Sequence, residues 1–198
     1  MSGDAQRDAS AQEVAFCERV LAKGGQSVLT ETLRGHAELS TWTKYPDGEV
    51  FDPDSGAQWF YHSHARDEDE AFSASSEHGH FHCFVRPVGP DGPIHHLCAV
   101  GVDAHGRLLR LFTVNHWVVG DTWLGADATI ALLDRFDVHM PQPSYLVNRW
   151  LTGVLSAHRP IIVDLIGQRD RRIATYKSPD GTDPKACRGL EVTAEHRF

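Results

Sequence analysis

The chain has 198 residues, 41% of them hydrophobic and 23% charged, and carries a formal net charge of -8. That length suits one domain with a full core, and the composition is that of a globular protein. The acidic balance argues against nucleic acid or an anionic membrane as partner, since both are usually met by a basic surface.

No run of about 18 apolar residues occurs, and the opening MSGDAQRDASAQE lacks the basic-then-apolar layout of a secretory signal, so a cytoplasmic location is expected. Cys17, Cys83, Cys98 and Cys187 form no CxxC pair, which fits reduced thiols better than a disulfide framework or a zinc ribbon.

In chain order, residues 1–10 are small and polar and read as a disordered lead-in. Val14, Phe16, Cys17, Val20 and Leu21 follow helical periodicity, predicting a helix over about 11–23 that stops at Gly24-Gly25. Ser27 can cap a short second helix ended by Gly35. Residues 40–64 read as turns and short strand, with AQWFYHSH (57–64) as the strand. The acidic, serine-rich stretch 65–76 breaks it.

Three strand-like runs follow, 77–86, 94–103 and 107–117, joined by links too short for anything but antiparallel neighbours. After Trp123 the pattern returns to helical: Asp127, Pro143-Ser144 and Pro160 open three helices, the last reaching about Tyr176. Residues 177–198 read as an irregular tail in which Leu190-Glu191-Val192 can add an edge strand. Helices, then strands, then helices predict a single α+β domain over 11–176. Its antiparallel meander is packed with N-terminal and C-terminal helices.

Chemistry concentrates in EHGHFH (77–82). On a strand, side chains alternate faces, so His78, His80 and His82 form one row about 6.5–7 Å apart at the backbone. Imidazoles at i and i+2 can lean onto one metal, whereas three from one straight strand reach a single ion less easily. Further ligands are therefore expected from neighbouring strands. YHSH supplies His62 and His64. A turn near Pro90 pairs residues whose numbers sum to about 180, which places Cys98 opposite His82 and His96 opposite Phe84, on the histidine face. A turn at His105 adds Arg110 and His116, although a one-residue slip would reverse all of these.

The expected metal ligands are thus His78, His80 and His82, completed by His62, His64, His96 or His116. Glu77 and Asp121 are additional carboxylates, with Glu77 on the wrong parity. Of His95 and His96 only one can join the row, leaving the other exposed. The ion is a divalent transition metal; zinc, iron and copper are not distinguished by imidazole alone. Asn115, Trp117 and Arg149 are expected to contact a small-molecule substrate, Trp117 as wall and Arg149 as anion contact.

The segment from EHGHFH through LFTVNHWVVGDTW resembles an uncharacterised bacterial protein family of unknown function, a resemblance that implies no activity. The HxH spacing is also similar to that of carbonic anhydrase-like zinc sites and of cupins, as geometry only, and the remaining cupin glycines and glutamate are out of register.

The functional expectation is a metal-binding protein acting on a small molecule, as a metal-dependent hydrolase, lyase or oxygenase. The alternatives are a non-catalytic metal-binding or sensing module, compatible with a homodimer, and a metal-free histidine-rich binding domain.

Overall fold

The computed structural model describes residues 3–36, 40, 43–63 and 77–198. Its centre is a six-stranded antiparallel sheet in chain order, β1 (Tyr45–Phe51), β2 (Ala57–His62), β3 (Gly79–Val85), β4 (His95–Val102), β5 (Leu108–Val114) and β6 (Val192–Arg197). Helices α1 (Gly3–Lys23) and α2 (Val28–Thr32) precede it. The helices α3 (His116–Val119), α4 (Ala126–Ile130), α5 (Tyr145–Ala157) and α6 (Arg159–Thr175) lie between β5 and β6. The class is α+β, as the order of periodicities implied.

Two expectations shift at the ends. Helix α1 begins at Gly3, ahead of the lead-in boundary at residue 10, and Ser10 on it is buried against Ser156 at 2.8 Å. The tail returns to the sheet, because β6 pairs with β5 along Arg110↔Arg197 to Val114↔Val192. The edge strand expected at Leu190-Glu191-Val192 therefore exists but starts later and runs further, over Val192–Arg197, in a segment whose composition reads as irregular. Ser27 caps α2 through a reciprocal pair of bonds with Thr30. Strand β1 occupies the turn-rich 45–51 stretch. Its hairpin closes at Gly56 (φ 78), where a Cβ would overlap the Arg86 carbonyl oxygen.

The two faces of the sheet differ. Trp59, Tyr61, Phe81, Cys83, Cys98 and Leu111 face the main core with Cys17 and Leu21 of α1, Trp150 and Leu151 of α5, and Ile162 and Ile166 of α6. Fixing this layer are edge contacts between Trp59 and Phe81, and a bond from Trp59 Nε1 to Asn148 Oδ1 at 2.9 Å. On the opposite face Ala99, Phe112 and Val114 form a small cluster with Val118 and Val119 of α3. Alternation along β5 sends Leu111 to one side and Phe112 to the other. Helices α1, α5 and α6 therefore shield one face, and the histidine row stands on the other, where short α3 packs.

Candidate metal centre

Strands β2 and β3 pair with His62 directly opposite His80 and Phe60 opposite His82. Cross-strand neighbours of this kind have adjacent Cβ atoms. The consequence is convergence: His62 Nε2 lies 2.9 Å from His80 Nε2, which lies 3.1 Å from His82 Nε2. One nitrogen from each of His62, His80 and His82 falls within 4.8 Å of the others. His80 and His82 are buried at 4% and 0% exposure, while His62 is partly open. Ligands bound at about 2.0–2.1 Å to one ion stand roughly 3 Å apart, so the donor set and its spacing are compatible with a metal site.

The outer nitrogens are held as well. Arg110 grips the Glu77 carboxylate from Nε at 2.5 Å and Nη2 at 3.1 Å, and His80 Nδ1 lies 2.9 Å from Glu77 Oε1. Burial alone would raise this carboxyl, but the hydrogen bonds from His80 and Arg110 outweigh it and hold the group at about 2. An ionised carboxylate only accepts, so Nδ1 of His80 carries the hydrogen. In the neutral ring Nε2 is then a lone pair aimed at His62 and His82. His82 Nδ1 in turn meets His96 Nε2 at 3.1 Å. Burial, then Arg169 and His80, push His96 down to about 3, so it serves as a neutral ring behind His82.

Gly101 makes room for this arrangement. On β4 it stands opposite His80 of β3 and Arg110 of β5, and a Cβ there would stand 2.5 Å from Glu77 Oε2. Edge contact from Phe112 to His80 at 5.0 Å, and Phe60 tilted against His82 at 5.2 Å, confine the imidazoles.

The remaining sequence-predicted residues are placed as follows. Strand β3 starts only at Gly79, and His78, outside the regular alternation, turns its Nδ1 to Tyr61 Oη at 2.6 Å. It is thus directed to a core-facing side chain and is not in the triad. His64 lies outside the described residues. His96 shares the histidine face but supports His82, and its backbone N–H donates to Asp121 Oδ2 at 2.9 Å, which accounts for that carboxylate. His116 turns Nε2 to the Asp121 carbonyl at 2.9 Å. His95 is buried at 5% exposure, its Nδ1 2.6 Å from the Thr122 carbonyl, where an exposed residue was expected.

Cys98 faces Cys83 on the core side because the register shifts between Cys83 and Phe84, with Leu97 as the extra residue. The same shift keeps His96 opposite Phe84.

Of the predicted substrate contacts, Trp117 lines a cavity beside the triad. Asn115 is fully buried, bonding Pro184 O and Leu190 O and capping α3 through His116 N, so it joins the tail to the sheet end. Arg149 pairs with Glu13 and Asp137 on the helical side of the molecule, away from the histidine face. A polar helix residue gives no local signal of which layer it will meet.

The cavity measures about 320 Å³, and the triad forms part of its wall. Phe60, Phe112, Val114, Trp117, Val118 and Val119 make its apolar surface, with Lys44 and Glu191 also present. Phe60 and Phe112 escaped sequence reasoning, although Phe60 stands at i-2 from His62 and therefore shares its face.

A helix-backed antiparallel meander with three converging imidazoles on its other face defines an α+β protein with a candidate metal centre. The chain belongs to the family described as a domain of unknown function, DUF6969, whose model matches residues 8–198. No curated protein and no solved structure matches it. Among the described residues no helix is long and apolar enough to cross a membrane.

Proposed function

We propose that the protein binds a divalent transition metal through His62, His80 and His82 and uses it on a small molecule held in the adjoining cavity. The observation that carries this reading is the convergence of imidazole nitrogens on His80 Nε2, at 2.9 Å from His62 and 3.1 Å from His82, while its Nδ1 is engaged by Glu77 at 2.9 Å. A shared cation turns that crowding of nitrogens into coordination. A carboxylate behind a ligating histidine fixes its tautomer and raises its basicity, which is the role Glu77 takes here.

Support for catalysis over a purely structural ion comes from the cavity. Structural sites are usually closed by four protein ligands, whereas catalytic sites present three and leave a position for water or substrate. A metal held so supplies Lewis acidity and acidifies bound water, which serves hydrolysis, hydration or lyase chemistry, and a redox-active ion extends this to oxygen chemistry. The protein's own part is to orient three nitrogens, balance Glu77 against Arg110, and surround the site with apolar side chains.

The test is metal analysis of protein purified without a histidine tag. About one ion per chain is expected, with loss in His80→Ala and His82→Ala variants that keep their far-ultraviolet circular dichroism. Less than about a tenth of an ion per chain after incubation with zinc, iron(II) and copper(II) in turn would overturn the reading, because a preformed three-histidine site should fill.

A further inference from the structure

The cavity beside the triad has a chemistry of its own, and the inference drawn from it rests on the metal reading above. Its volume of about 320 Å³ is at the small end of the roughly 300–1,000 Å³ usual for ligand pockets. The surface comes from three elements. Phe60 belongs to β2, Phe112 and Val114 to β5, and Trp117, Val118 and Val119 to α3. Trp117 is locked by its Nε1 bond to the Leu190 carbonyl at 2.8 Å, and Phe112 carries the Arg110 guanidinium 4.0 Å from its ring. These are fixed aromatic and branched surfaces. Among the described residues, the polar side chains lining the cavity besides the triad are Lys44, over the Phe60 ring at 4.3 Å and paired with Glu49, and the exposed Glu191.

Charge selects the other end of the ligand. Three imidazoles are neutral donors, so a dication on them keeps its full charge. The nearby carboxylate Glu77 is already neutralised by Arg110. In a site walled by apolar side chains that charge is poorly screened, and an anionic oxygen donor is the partner that relieves it.

We infer that this cavity takes a small monoanion made of an oxygen-donor head group, such as a carboxylate or hydroxamate, on a compact apolar or aromatic body. The head group completes the metal's coordination and the body packs between Phe60, Phe112 and the α3 valines. A polymer or a sugar-like polyol fits this surface poorly, because most of its hydroxyls would be buried against Phe60, Phe112, Val114, Val118 and Val119, which offer them no hydrogen bonds.

The experiment uses the full chain loaded with cobalt(II), whose visible absorption reports changes in coordination. Benzohydroxamate and acetohydroxamate are titrated separately and share the same head group. Burying the ring should make benzohydroxamate bind at least about tenfold tighter. Val118→Asp, which alters the wall and replaces no ligand, should still take up cobalt(II) and lose most of that preference. Equal affinity for the two probes, or a preference unchanged in Val118→Asp, would overturn the inference while leaving the metal centre standing. Failure to take up cobalt(II) at all would remove the metal reading and this inference with it.

Discussion

His80 Nδ1 stands 2.9 Å from Glu77 Oε1, and this contact decides which nitrogen of His80 faces His62 and His82. Because Arg110 holds Glu77 ionised, the carboxylate is a fixed acceptor, and the tautomer of His80 follows from it. Glu77→Gln keeps the shape but removes the charge, and should weaken metal binding by ~10–100-fold, the range typical of partners behind a ligand. Competition with a chromophoric chelator measures this, and an unchanged affinity would show that His80 is oriented by something else.

Gly101 gives a test that touches no ligand. An added Cβ would stand 2.5 Å from Glu77 Oε2, so Gly101→Ala must push the carboxylate aside. Arg110 Cγ would also lie 3.0 Å away, and the displaced carboxylate is bonded to His80 and Arg110, so stability should fall by about 1–3 kcal/mol. Metal affinity should nevertheless drop in the same direction as in Glu77→Gln. Combining the two substitutions should add little, since they act through one contact.

Acid should empty the site before it unfolds the chain. Imidazoles must be deprotonated to bind metal, so affinity declines as pH falls from 7 to 5. Glu77, held at about 2, has a folded pKa below its ordinary ~4.3. Its stabilising contribution is therefore present above that ordinary value and is lost only as pH falls toward 2. Metal release followed by dialysis and elemental analysis should run well ahead of the circular dichroism transition. Coincident curves would show that the triad and the fold titrate together.

Asn148 links the helical layer to the sheet. Fully buried on α5, it accepts from Trp59 Nε1 and donates to the Met140 and Gln142 carbonyls. Asn148→Ala leaves one buried donor and two carbonyls without these partners and should cost about 2–4 kcal/mol. Urea denaturation reads this directly. A loss under 0.5 kcal/mol would mean that water replaces the amide at about equal strength.

Much of the framework was legible locally. Period-two alternation places His80 and His82 on one face whatever their partners. Short links force the meander, and Ser27, Pro143-Ser144 and Pro160 mark helix starts that the structure has at α2, α5 and α6. Such features depend on neighbours in sequence, so sequence by itself determined them.

What only the tertiary structure decided depends on register and layer. Pairing of β2 with β3 brings His62 opposite His80, and the bulge at Leu97 keeps His96 on the histidine face while sending Cys98 to Cys83. The start of β3 at Gly79 releases His78 to Tyr61, and Arg149 meets Glu13 across the helices because α1 packs on α5. Glu77 becomes the anchor of His80 from outside the strand, where parity no longer governs direction, and Gly101 on another strand vacates the space it fills. One extra residue in a strand reverses every side chain beyond it, and no local propensity encodes that choice.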